Sequence, residues 1–313
     1  ADAPEQPLVE NLMELRSRLL RIVLVVGVLF AAMAPFANTL YTWLAQPLMR
    51  QLPEGGQMIA TEVASPLLTP FKLVLVLALF LAVVRAGRRK AIVMLAFLNG
   101  LGIIIQAVIG GISVLVDLTW YSVAIHFLAT SILVWLAGML YVKVQEPDDG
   151  HAVRSYAAPL RQLAAVSGLA LTATLVTGTM VTGAGPHAGD ASILPEDRLQ
   201  LPIIELAHVH AGFMYLYLGL VAGLVVGLIA TKADPGIIRL SWWVVGLIIA
   251  QAAVGIFQYW TGVPEWTVPF HVGLSGALTA VTAILWQMGW RHTGGSAALV
   301  GSPAGDAEFA ATR

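Results

Sequence analysis

The chain has 313 residues, 58% of them hydrophobic and 11% charged, with a formal net charge of −1 and no cysteine. This composition excludes a soluble globular protein and gives no basis for nucleic-acid binding. The lack of cysteine excludes disulfides, thiolate haem ligation, iron–sulfur clusters and cysteine-based zinc sites.

A polar stretch over 1–15 opens the chain. Eight apolar spans follow, each about the 20 residues needed to cross a hydrocarbon core of about 30 Å. They cover 19–40, 66–85, 91–115, 119–142, 160–183, 203–230, 237–261 and 268–290. The first is too long for a signal peptide and lacks a small-residue cleavage site, so it reads as a retained helix. The tail 292–313, rich in Gly, Ala and Ser, reads as disordered. The expected fold class is therefore all-α: a polytopic integral membrane protein of about eight transmembrane helices.

Fourteen basic residues, among them Arg85, Arg88, Arg89, Lys90, Lys143, Arg154 and Arg291, fall on one side of this arrangement, and Arg50, Lys72 and Arg198 on the other. The positive-inside rule then places both termini in the cytoplasm of a multi-pass protein, with 184–202 and 262–267 as outer loops.

Gln106-Ala107-Val108-Ile109-Gly110 in the third span recurs as Gln251-Ala252-Ala253-Val254-Gly255 in the seventh, 145 positions on. The same offset carries His126 onto His271. Four spans separate the copies, so both halves share one orientation, which predicts two tandem four-helix bundles with sites between facing helices. Carried backward, the offset takes His210 to Ser65, and no histidine precedes His126. The repeat predicts a paired histidine site that the N-terminal part cannot complete.

His126, His208, His210 and His271 all fall within spans, where a polar side chain is costly and normally faces a bundle interior. At a rise of 1.5 Å per residue, His126, His210 and His271 lie in the outer half of the bilayer. His208 and His210 are about 200° apart around one helix and cannot share a face. Two such imidazoles would close both axial positions of a haem iron, which suits electron transfer. Zinc would want a further ligand close by. Glu205 is either an ordinary interface carboxylate or a partner for a histidine or a propionate. His187, in Gly185-Pro186-His187-Ala188-Gly189-Asp190, is either a solvated turn residue or a cover over the site. His151 and His292 read as solvated.

Two resemblances run along the chain. Between about 84 and 290 it resembles haem A synthase of the actinobacterial kind. The resemblance is carried by Val84-Arg85-Ala86-Gly87-Arg88-Arg89, the Gln106–Ile112 run, Ala124-Ile125-His126, Tyr141 to Gly150, Val176-Thr177-Gly178-Thr179, the Gly185–Asp190 run, His208-Val209-His210 and Gln258 to Pro264. It implies haem b between His210 and His271 in the C-terminal bundle, with His208 beside the site. It implies a pocket at His126 for haem O, whose methyl group is oxidised to a formyl, a haem O-supplying enzyme and a membrane electron donor. From about 8 to 80 the chain resembles TatC, the twin-arginine translocase subunit, through Leu8 to Leu19, Gln51 to Pro66 and Thr69-Pro70-Phe71-Lys72. That resemblance implies signal-peptide contacts at Glu14 and Arg16.

The domains expected are a TatC-like segment over 1–80, the rest of an N-terminal bundle over 81–145, a haem b-binding bundle over 146–291 and the tail. The leading expectation is an oxidoreductase of the haem A synthase type in a bacterial cytoplasmic membrane, impaired because the replaced segment should hold the second pocket histidine and the catalytic carboxylate. Neither is found. The alternatives are a translocase component and an inactive membrane scaffold. Homo-oligomerisation stays open.

Overall fold

The computed structural model describes residues 79–189 and 193–293. The first two expected spans therefore lie outside the described residues, apart from a helical 79–85. The chain divides into two compact units, 1–87 and 88–313; the second is described below.

Six long helices make up this unit: α1 (Lys90–Leu115), α2 (Trp120–Lys143), α3 (Ala158–Ala184), α4 (Ile203–Ala230), α5 (Pro235–Thr261) and α6 (Val268–Met288). All six helical segments are long and apolar enough to cross a membrane. They match the third to eighth expected spans closely, so six of the eight expected spans are long apolar helices among the described residues. Proline stands in the first turn of α3, α5 and α6, where its missing N–H costs nothing. Asp234 caps α5 by accepting from the Gly236 and Ile237 amides, and Gly262 at φ +73° ends it.

Helices α3 to α6 form a closed ring in which each packs on the next and α6 returns to α3; α2 packs against α6 and α3, and α1 against α2. Large apolar side chains point outward, with Leu169 70% and Val226 66% exposed, as lipid-facing helices require. Lipid tails are as apolar as leucine, so helix association rests on close packing. Accordingly α3 buries Ala164, Ser167, Ala170, Thr174 and Thr177. Their hydroxyls return to their own helix, Ser167 Oγ donating to Leu163 O at 2.8 Å and Thr174 Oγ1 to Ala170 O at 2.9 Å. One half of the ring is filled by Tyr217, Leu224, Leu228, Ile237 and Ile248. There the Tyr217 hydroxyl meets Thr282 Oγ1 at 2.5 Å and joins α4 to α6.

The repeat is written into the backbone of this unit. Leu118 and Val263, its equivalents, both take positive φ (51° and 58°). Their amides donate to equivalent carbonyls, Ser113 O at 2.8 Å and Gln258 O at 2.9 Å. Ser122 Oγ donates to Thr119 O at 2.8 Å, and its equivalent Thr267 Oγ1 donates to Pro264 O at 2.6 Å. The α1–α2 hairpin is thus the α5–α6 hairpin built a second time.

The described residues are mostly helical, as expected, with one short addition. β1 (His151–Arg154) pairs antiparallel with β2 (Trp290–Thr293) in a two-stranded ribbon, His151 opposite Thr293 and Ala152 opposite His292. The expected tail thus begins with paired backbone, and His151 and His292 are ribbon residues. The two segments leave α2 and α6 side by side, so each satisfies the other's main chain. Arg154 and Arg161 lie over the Trp290 ring, 5.8 and 4.7 Å from its centre.

At this ribbon end, Glu146 is buried and takes ion pairs from Arg89 at 2.8 Å and Lys143 at 2.9 Å. Arg88 pairs with Asp148 at 2.6 Å. The Arg89 amide and the Arg88 guanidinium hold the Asp148 carboxyl below the usual carboxylate range. The two motifs quoted above around Arg88 and Glu146 therefore form one structural joint.

Candidate functional site

The other end of the unit carries the histidines. Each is seated against a glycine on its hairpin partner: a Cβ on Gly178 would lie 3.0 Å from His210 Cε1, on Gly255 3.3 Å from His271 Cε1, and on Gly110 3.0 Å from His126 Cε1. The repeated glutamines grip the histidine backbones. Gln251 Nε2 donates to His271 O at 3.0 Å, and Gln106 Nε2 to His126 O at 2.7 Å. Gln106 also contacts Thr130 Oγ1. The Gln-Ala-x-x-Gly motif is thus a cradle in which glutamine fixes the height of the histidine and glycine, one turn on, makes room for its ring.

His210 of α4 is seated against α3 and His271 of α6 against α5, so both belong to the same ring of helices. His210 Nδ1 is 2.9 Å from Thr174 O and 3.3 Å from Thr177 Oγ1. A carbonyl only accepts, so Nδ1 carries the proton and Nε2 keeps its lone pair, the state an axial ligand needs. His271 Nδ1 and Gln251 Oε1 are buried without a partner, which is rare unless the site serves a ligand. The protonated Nδ1 of His210, the unpartnered His271 nitrogen and the glycine-lined seats fit a planar group held between two imidazoles. Among the described residues no three His, Cys, Asp or Glu side chains converge on a metal position.

His126 has an identical seat and a buried, unpartnered Nδ1, but no second histidine faces it among the described residues. His208 is exposed, turned away from His210, with its ring 6.3 Å from that of Tyr259. Glu205 is exposed in the first turn of α4. His187 is no free turn residue: its Nε2 donates to Val263 O at 2.7 Å. Glu14 and Arg16 lie outside the described residues. Sequence reasoning missed Thr174 as the partner of His210; the signal was Thr174, Thr177 and Gly178 recurring at helical spacing on one face of α3.

Comparison with known proteins identifies the other unit. The family Sec-independent protein translocase protein (TatC) matches residues 10–84. A protein of that description from Azotobacter chroococcum mcd 1 is 56% identical over 78 residues, 25% of this chain and 31% of the relative. That of Escherichia coli (strain K12) is 48% identical over 77 residues, 25% of this chain and 30% of its own. That of Halothiobacillus neapolitanus is 53% identical over 73 residues, 23% and 20% of the two chains. The chain therefore spans about three tenths or less of the length of the curated relatives it matches. No solved structure matches.

These findings overturn the leading expectation. The matching family and relatives are protein translocase components, and none is a haem A synthase. The physical reason is visible in the sequence: the stretch that should supply the second pocket histidine and the carboxylate is the stretch that matches TatC. The oxidation of haem O, with its oxidoreductase role, haem O supplier and electron donor, is withdrawn. The apolar helices and the TatC match together make this a multi-pass bacterial membrane protein.

Proposed function

We propose that this chain is a component of a Sec-independent, twin-arginine protein translocase in the bacterial cytoplasmic membrane, with both termini in the cytoplasm. Its support is the TatC match over 10–84, at 56% identity to one relative. Glu14 and Arg16 would contact the signal peptide, and other components of the translocase would be its partners. The joint after the second span is short and basic, Arg85 to Lys90, so recognition rests on the N-terminal segment. Photocrosslinking of a twin-arginine precursor beside Glu14, with loss of the crosslink in Glu14→Ala, tests this. An unchanged crosslink in that variant rejects it.

A second reading concerns the helix ring and rests on the His210–His271 geometry. This site would hold haem b through His210 and His271, with Thr174 fixing the tautomer of His210 and Gln251 the height of His271. When bound, haem b would supply one-electron redox chemistry. Reduced-minus-oxidised spectra of the purified chain test it: a low-spin b-type signal is expected, and its survival in a His210→Ala, His271→Ala double variant rejects the assignment.

A further inference from the structure

The segment Gly185–Gly189, between α3 and α4, is held between the turns of the two repeated hairpins, α5–α6 and α1–α2. From the end of α3, His187 reaches the turn between α5 and α6 and donates to Val263 O at 2.7 Å. This bond ties the α3–α4 connection to the α5–α6 turn at the same end of the ring. Ala188 beside it is 3% exposed. Gly189 takes φ +82°, and a Cβ there would lie 2.2 Å from Leu118 O, in the turn between α1 and α2. The returning strand is tied down as well, Leu199 N donating to Gly183 O at 2.8 Å.

The two anchor points are not arbitrary. Leu118 and Val263 are equivalents in the repeat, and both are non-glycine residues at positive φ. That conformation turns a carbonyl out of each hairpin tip at the cost of about 1–3 kcal/mol of backbone strain. One short segment bonds to the Val263 carbonyl and packs its Gly189 backbone closely against the Leu118 carbonyl. A solvated turn would need neither the buried alanine nor a glycine with no room for a side chain.

We propose that Gly185–Gly189 is a latch: it joins the tips of the two repeated hairpins and closes the mouth of the ring above His210 and His271, so that access from that face requires the His187–Val263 bond to open. That the enclosed space takes a haem rests on the second reading above; the latch does not.

The chain has no cysteine, so a single engineered thiol reports access cleanly. Val181 lies one turn from Gly178 on the same side of α3, toward the mouth. The full-length chain carrying Val181→Cys is reconstituted in nanodiscs without added haem and reacted with a membrane-impermeant maleimide; Glu196→Cys, in an exposed turn, is the open control. Labelling of Val181→Cys is expected to be slow in the parent and about three- to tenfold faster with His187→Ala, the worth of one hydrogen bond. His187→Gln keeps an N–H donor and should stay near the parent rate, which separates the bond from loop bulk, while monodisperse elution confirms folding. Equal rates in parent and His187→Ala, a parent rate equal to the control, or His187→Gln behaving like His187→Ala would each overturn the latch. A chain that never takes up haem yet labels in a His187-dependent way keeps the latch and removes the haem assignment. A haem-binding chain indifferent to His187 does the reverse.

Discussion

Gly138 of α2 and Ala283 of α6 hold the same place in the two copies of the repeat, and they meet where those helices cross. A Cβ on Gly138 would lie 2.9 Å from Ala283 Cβ and 3.0 Å from Ala280 O. Carbon atoms prefer about 3.5–4.0 Å, so Gly138→Ala overlaps a methyl and a backbone oxygen, neither of which has a rotamer to give. Ala283 is fully buried. Overpacking of this kind costs about 1–3 kcal/mol, while the gain in helix propensity returns about 1 kcal/mol. Gly138→Ala alone should therefore lose up to about 2 kcal/mol. Ala283→Gly alone should lose about 1 kcal/mol of propensity. In the double variant the propensity changes cancel and the methyl overlap is gone while the Ala280 O contact stays, so stability should recover most of the way to the parent. The coupling between the two sites is then about 1–2 kcal/mol. Reversible unfolding in mixed micelles of increasing SDS fraction, followed by circular dichroism, measures it. Additive losses in the double variant would refute the close crossing, and with it the structural meaning of the repeat.

Three further outcomes are expected. Gly255→Val pushes a branched side chain against His271 Cε1, 3.3 Å from an ideal Cβ; on the proposed haem b reading it should abolish the b-type spectrum expected of the parent, whereas Gly110→Val, beside His126, should leave it intact. Tyr156, buried at the ribbon end with its hydroxyl donating to Leu285 O at 3.0 Å, is pushed up to about 12 by burial. A raised tyrosine contributes stability that is complete below the unfolded value near 10 and is lost as pH rises through 12, a fall of about 2–3 kcal/mol. Subtracting the Tyr156→Phe curve from the parent isolates it, and parallel unfolding curves from pH 9 to 12 would count against it. At neutral pH that variant should cost about 1 kcal/mol, one lost hydrogen bond.

The helices were legible because each is a long apolar run bounded by proline, glycine or charge: α4 begins just after Pro202, and α5 ends at Gly262 as a left-handed cap demands. The cradles were legible through the repeat, since Gln251 and Gly255 recur at the spacing of Gln106 and Gly110. The ribbon was not. Its strands are four residues each and 139 positions apart, His151 to Trp290, and nothing local in either marks the pairing. The latch was invisible for a similar reason: His187 bonds to a main-chain oxygen, which carries no signature in side-chain identity. The long resemblance to an oxidising enzyme misled at another level. The motifs that carry it recur in the histidine seats, but the matching family and relatives are those of a translocase component and give no support to the activity it implied.

The hairpin unit explains how one chain can hold a complete histidine pair and an incomplete one. Glutamine, glycine and histidine come from within a hairpin, α1–α2 or α5–α6, so the seat is copied whenever the hairpin is. The opposing imidazole comes from elsewhere, from α4, oriented by α3 through the Thr174 carbonyl. Its equivalent would have to come from before residue 88, where the chain matches TatC over 10–84 and has no histidine at all. On the proposed haem-binding reading, His126 would therefore supply one imidazole where His210 and His271 would supply two, so the N-terminal copy of the seat would hold such a group less firmly than the C-terminal one.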